Sequence, residues 1–338
     1  MSGSPPRVLL TIGDPNGIGP ELAVKAVMAA QEHPAFNPVL VGDRCVVEPL
    51  AHRAGMTVRE TADGLATPMA DVVDLLPVPS LPAGAFAPGR VTAEAGKATV
   101  AYLERAVRCL QGGGARGIVA CPHSETAVNA AGISFDGYPS LLAELVGARP
   151  DQVFLMLIGA GLRIVHATLH ESLRDALGRL TPELVHGAAR AAVETLQAQG
   201  IPSPRIGVFG INPHAGEGGL FGDEDLRVTT PAVERLRAAG IDASGPVGAD
   251  LMLADPGFDA FVAMYHDQGH IPVKLLAGRS AAAMTIGAGV RFSSVGHGAG
   301  FDIAGKGTAD PDAVVGALRL VGAAETHMSA PGPFGATS

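Results

Sequence analysis

At 338 residues the chain is longer than one hydrophobic core usually grows, so two domains are expected. An apolar share of 47% and a charged share of 17% suit a packed globular protein and exclude general disorder. With 24 basic against 33 acidic residues the net charge is -9, which argues against a nucleic-acid or membrane-surface binder but not against a small anionic substrate held in a local cationic pocket.

Along the chain, short β-branched runs alternate with amphipathic stretches. The opening MSGSPPRVLLTIGDP has too short an apolar run for a secretory signal. Strands are predicted at Val8–Thr11, Pro38–Val41, Gly117–Cys121, Val153–Ile158, Arg163–Thr168, Ile206–Phe209, Phe261–Met264 and Ala282–Ile286. Helices are predicted over Glu21–Gln31, Lys97–Leu110, Pro182–Gln199 and Pro231–Ala239. In the third helix Leu184, Ala188, Ala191, Ala192 and Leu196 fall on one face. This alternation predicts an α/β fold, mainly parallel sheet with helices on both sides. Pro77–Gly89 reads as a loop and Ala330–Ser338 as a frayed tail. The longest nearly apolar run, Val153 to Val165, is interrupted by Arg163 and falls short of the roughly 18 residues of a membrane span. Cys45, Cys109 and Cys121 are odd in number and contain no CxxC, which fits a reducing cytoplasm. A soluble, cytoplasmic protein without membrane contact is expected.

Glycine and proline cluster at predicted strand ends, where open α/β sheets place their ligands. In GINPHAGEGGLFGDED, His214 leaves the strand ending near Gly210; a glycine-rich turn with an incidental histidine would give the same pattern. MYHDQGHIPVK places His266 and Asp267 just beyond another strand, with Lys274 a few residues on. A metal ligand, a general base and an anion clamp are all available there. In RIVHATLHES, His166 and His170 share a strand face but would lie about 13 Å apart, too far to bind one ion. His166 then reads as a satisfied core histidine, and His170 as the one at the strand end. Three strand-end histidines, His170, His214 and His266, predict a three-histidine site with open positions, suited to Zn²⁺ and leaving Mn²⁺, Co²⁺ and Mg²⁺ open. No Rossmann fingerprint stands between a strand and a helix; Gly159-Ala160-Gly161 is a weak match in so glycine-rich a chain.

The segment GHGAGFDIAGKGTADP is similar to the HGxxxDIAGK loop of the isopropylmalate and isocitrate dehydrogenase group, which wraps the adenosine end of NAD. With GDPNGIGPE, ATLHESLRDAL, GINPHAGEGG and MYHDQGHIPVK, it makes the chain from about Val8 to Val321 resemble the 4-hydroxythreonine-4-phosphate dehydrogenase family. By position, that resemblance assigns His170, His214 and His266 as metal ligands, Lys274 as a substrate contact, and Asp250 and Asp267 as acidic positions near the site. It implies NAD at His297, Gly298, Asp302, Gly305 and Asp310. It also implies two α/β/α domains like those of the isocitrate and isopropylmalate dehydrogenases: residues 1–125 plus 285–338, and residues 126–284 carrying the metal ligands and the dimer interface. A homodimer that shares its active site, with ligands from both chains, follows from the same resemblance.

The substrate positions depart from the phosphate-binding pattern. Tyr138 and Pro139 stand where those enzymes carry His and Thr, Ala283 replaces an Asn, and Phe292 replaces an Arg, with Arg291 displaced by one. ACPHSETAVNAAGISFDGYPSLLAEL, MLIGAGLRIVHATLHES and KLLAGRSAAAMTIG look more like the 1,2-dihydroxy-3,5-cyclohexadiene-1,4-dicarboxylate dehydrogenases of terephthalate breakdown. That likeness implies oxidative decarboxylation of a dihydrodiol diacid to protocatechuate, with Tyr138, Lys274 and Arg291 at the substrate. The alternatives are a 4-hydroxythreonine-4-phosphate-type substrate or, in other classes, a phosphate acyltransferase-like enzyme or a non-catalytic binding protein.

Overall fold

The aliphatic runs that read as strands form them, and most are buried along their whole length. In this computed structural model residues 5–32, 36–62, 68–135, 137–278, 281–295 and 298–322 are described; His297 and the tail Ala330–Ser338 lie outside them. The chain divides into two units, one of Met1–Leu141 with Arg291–Ala324 and one built on Leu142–Val290. The sequence expectation put the breaks at 125/126 and 284/285. Helix α4 (Glu125–Ala130), capped by Ser124 and packed on α3 (Ala93–Gln111), stays with the first unit and moves the first break onward, into α5 (Tyr138–Val146).

The first unit holds six parallel strands in the order β3 (Thr57–Glu60), β4 (Val72–Pro77), β2 (Asn37–Gly42), β1 (Arg7–Thr11), β5 (Gly117–Ala120) and β12 (Val290–Ser294). From β1 the chain moves to β2 on one side and later returns to β5 on the other. The adjoining carboxyl ends of β1 and β5 are therefore a switch point of the kind that binds ligands. α1 (Gly19–Glu32) packs on α2 (Arg44–Arg53) and on α11 (Asp312–Gly322).

The second unit orders its strands β11 (Ala282–Gly287), β6 (Phe154–Gly159), β7 (Leu162–His166), β10 (Ala260–Ala263), β8 (Ile206–Phe209) and β9 (Ala243–Val247). β6 runs antiparallel to β11 and β7; the remaining pairs are parallel. The antiparallel pairing follows from the connection, because two residues, Ala160 (φ 48°) and Gly161 (φ 81°), can close a hairpin but not a crossover. α7 (Pro182–Ala198) starts on Thr181, whose hydroxyl accepts from Leu184 N, with Pro182 in the first turn, and it buries the predicted Leu184–Leu196 stripe. α6 (Leu173–Arg179), α8 (Thr230–Ala238), α9 (Ala249–Leu253) and α10 (His266–Ala277) complete the unit. Its core gathers Leu157, Ile164, Phe209, Phe261 and Val273. Among the described residues no helix is long and apolar enough to cross a membrane.

Candidate active site

In the second unit β7, β10 and β8 are parallel neighbours, and their three carboxyl ends carry the three candidate histidines. Beyond β7, Thr168 donates its amide (3.2 Å) and hydroxyl (2.7 Å) to Met264 O, fixing the bend that ends at His170. Beyond β10, α10 begins with His266. Gln268 accepts from Met264 N (2.7 Å) and donates to Gly210 O (2.7 Å), tying this helix start to the exit of β8. His214 follows that exit in a turn where His214, Ala215, Gly216, Glu217 and Gly218 all have positive φ, from 44° to 81°. Strand β7 ends at His166, so His170 lies on the loop, not on the strand predicted to reach Thr168.

The rings of His170 and His266 have centroids 5.7 Å apart. His214 is not grouped with them: among the described residues, no three His, Cys, Asp or Glu side chains form a cluster able to hold a metal ion. The chemistry of the donors nevertheless suits a metal. His266 Nδ1 is engaged by Asp267 at 2.7 Å and His214 Nδ1 by Glu217 at 3.3 Å. A carboxylate on Nδ1 fixes the tautomer and leaves Nε2 as the ligating atom. Lys274 is exposed on α10 one turn after His270, and Asp250 is exposed at the start of α9.

In the first unit the glycine-rich loop before α11 is strapped to α1. Glu21, in GDPNGIGPE, accepts from Gly307 N (3.0 Å) and Ala309 N (2.9 Å), while Lys25 donates to Gly307 O (2.9 Å) and Ala309 O (2.7 Å). Asn16, fully buried, accepts from Ala87 N (2.8 Å) and donates to Arg90 O (3.1 Å), holding the 86–92 loop. Between these loops lies a cavity of about 400 Å³ lined by Leu50, Arg53, Phe86, Pro88 and Gly305. Gly298 and Asp302 are exposed on the same loop, and Asp310 caps α11 by accepting from Asp312 N (3.0 Å).

Tyr138 belongs to an aromatic cluster. Its hydroxyl lies 2.9 Å from His123 Nδ1, and its ring is 4.5 Å from that of Phe292, which is buried on β12. Arg291 is placed differently from its expected role. It lies level with Gly117 at the amino-terminal end of β5, where burial and Arg116 hold its pKa below the ordinary arginine value. In its unit that is the sheet edge opposite the carboxyl ends where α/β folds bind ligands.

The model of the family described as "Pyridoxal phosphate biosynthetic protein PdxA" matches residues 34–321. The chain belongs to the PdxA family. Among PdxA-family relatives it is 48% identical to the 1,2-dihydroxy-3,5-cyclohexadiene-1,4-dicarboxylate dehydrogenase of a Comamonas species, covering 94% of this chain and 97% of that one. The crystal structure of a terephthalate 1,2-cis-dihydrodiol dehydrogenase from Burkholderia xenovorans LB400 is similar at 54% identity and a TM-score of 0.80, covering 94% and 97%. A 4-hydroxythreonine-4-phosphate dehydrogenase structure from Burkholderia phymatum is similar at 37% identity and a TM-score of 0.85, covering 96% and 100%.

Sequence reasoning missed three residues of this PdxA-family chain. Glu21 carried no signal beyond its place in a motif. His123 was visible only as part of a cysteine-proline-histidine loop, and its Nε2 is buried without a partner. His270 stacks on His266 with centroids 3.8 Å apart. Its spacing of four residues would have shown the two rings on one helix face, had α10 been recognised as a helix.

Proposed function

We propose that this chain is a metal-dependent, NAD-linked decarboxylating dehydrogenase that converts 1,2-dihydroxy-3,5-cyclohexadiene-1,4-dicarboxylate and NAD⁺ to protocatechuate, CO2 and NADH. The observation that carries the reading is identity of about half, over nearly the full length of both chains, with two proteins named for this chemistry. Tyr138 backed by Phe292 supports it, since an apolar wall suits an unsaturated ring and would leave a phosphate short of donors. His170, His214 and His266 hold the divalent ion, with the ligand set completed across a homodimer. Exposed apolar side chains flank these histidines, Leu220 and Phe221 after the His214 turn and Ile271 and Leu275 on α10, and give the second copy its contact surface. When bound, the ion supplies Lewis acidity at the substrate hydroxyl. Asp267 and Glu217 orient their histidines, and Lys274 holds a substrate carboxylate; Arg291, at the far sheet edge, is left out. NAD lies against the strapped loop, from His297 to Asp310, with the cavity at Gly305 beside it.

The test is NADH formation from the dihydrodiol diacid and from 4-phosphohydroxythreonine at equal concentration, before and after chelation. Faster turnover of the phosphate ester would sink the substrate assignment alone. Undiminished turnover in a verified metal-free protein would sink the metal.

A further inference from the structure

The described part of the second unit brings four imidazoles together, and only two of them are used by the reading above. His166 and His270 remain. His166 ends β7, is 2% exposed, and has both ring nitrogens engaged: Nδ1 lies 3.2 Å from Leu155 O and Nε2 lies 3.0 Å from His270 Nδ1. Leu155 O can only accept, so His166 carries its proton on Nδ1 and, as a neutral ring, offers Nε2 as an acceptor. His270 must then donate from Nδ1, which leaves its own Nε2 unprotonated. Between two neutral rings, these hydrogen bonds fix both tautomers. Burial, the largest effect, pushes His166 down to about 3, consistent with a neutral ring at that position.

Backbone geometry makes this approach possible. On Gly269 a Cβ would stand 2.4 Å from His166 Nε2, so glycine is what lets the buried ring reach the helix. His270, one turn after His266, lies against that histidine nearly parallel, at 13° and 3.8 Å between centroids. The proton chain ends at a carbonyl in the core, so it cannot carry protons to or from solvent. What it can do is hold a ring still.

We propose that His166 and His270 are positioning residues for His266: His166, anchored on Leu155 O, fixes the plane of His270, and the stacked His270 fixes the direction in which His266 presents Nε2. The proposal rests on His266 being a metal ligand. Together with Asp267 at Nδ1, it restrains the ring of His266 from its edge and from its face.

Two variants separate the two contacts. His270→Phe keeps a stacking ring and loses the donor to His166; His270→Asn keeps a donor near the Nδ1 position and loses the stack. Co²⁺ is titrated into the metal-free full-length protein and each variant, recording affinity and the visible absorption bands of the bound ion, alongside thermal unfolding. Loss of a partner that orients a ligand typically costs 10–100-fold in metal affinity, so both variants are expected to bind Co²⁺ that much more weakly, with shifted bands. In ¹⁵N-histidine spectra of the metal-free protein, the Nδ1–H tautomer of His166, set by Leu155 O, is expected in the wild type and both variants. The Nε2 resonance of His166 is expected to shift in His270→Phe, which removes its donor, and to stay close to wild type in His270→Asn. Variants that unfold at lower temperature but keep wild-type Co²⁺ affinity and bands would overturn the positioning role and leave the metal reading intact. A wild-type protein that binds no Co²⁺ would overturn both.

Discussion

Replacing Asp14 by Asn tests how the turn after β1 is held together. Asp14 is fully buried; Oδ1 accepts from Asn16 N at 2.9 Å, while Oδ2 has no partner. Burial, opposed by the Asn16 amide, pushes its carboxyl up to about 6. The folded value is raised above the unfolded one, so the folded protein binds this proton more tightly. The stabilisation is fully present below about pH 4, is lost as pH rises through about 6, and is absent above it. A rise of about two pH units corresponds to roughly 3 kcal/mol between these limits. Asparagine keeps the acceptor for Asn16 and never ionises, at a fixed cost of roughly 1–3 kcal/mol if its amide nitrogen stays unpaired. The informative quantity is therefore the change in the gap between variant and wild type. Asp14→Asn is expected to gain roughly 3 kcal/mol on the wild type between about pH 4 and about pH 8. Parallel urea titrations of both proteins cancel every other titrating group. A gap that stays constant across that range refutes the reasoning.

Other substitutions probe the rest of the chain. Glu21→Ala removes the acceptor of two loop amides and should weaken NAD⁺ binding by tenfold or more on the order of 1.5–3 kcal/mol per charged hydrogen bond, while leaving metal content unchanged; fluorescence titration with NADH checks it. Leu275→Asp, on the exposed face of α10, should convert a dimer to monomers in sedimentation velocity, and an unchanged dimer would place the contact elsewhere. Gly269→Ala sets a helix-propensity gain of up to about 1 kcal/mol against an overpacking cost of roughly 1–3 kcal/mol where the Cβ meets the pinned His166 ring. Net destabilisation in urea is expected, and a stabilised variant would mean that His166 moves freely.

Most of the parallel framework was legible because buried strands read as unbroken aliphatic runs. β1, β2, β5, β8 and β10 were all found within a residue or so of their ends. Among the described strands four were missed: β4 (VVDLLP) is a buried aliphatic run broken only by Asp74 and was overlooked, whereas β3, β9 and β12 (VRFSS) lack an unbroken run. β3 (TVRE) carries two charges on four residues, and β9 (ASGPV) contains glycine and proline. α10 was illegible for a similar reason, since Gly269 and Pro272 interrupt the pattern that marks a helix. Glycine is there to admit His166, a tertiary demand that no local rule sees. Arg291 is the opposite case: it stands one place from the position of the family's cation, and a shift of one along a strand turns the side chain to the other face.

The same tension between local preference and tertiary demand explains GINPHAGEGG. Five successive residues in the left-handed region are costly, roughly 1–2 kcal/mol for each that carries a Cβ, and His214, Ala215 and Glu217 all do. Such a turn persists only where its surroundings over-determine it. Here Asp225, 1% exposed, accepts from Ile211 N (2.8 Å) and Asn212 N (2.9 Å), Asn212 donates to Glu224 (2.7 Å), and Phe221 N closes on Gly216 O (3.1 Å). The glycines lower the cost at two of the five positions and the acidic residues downstream hold the rest. Under the proposed metal site, a turn held with this much opposing strain would serve to aim His214. A flexible loop would need none of these partners.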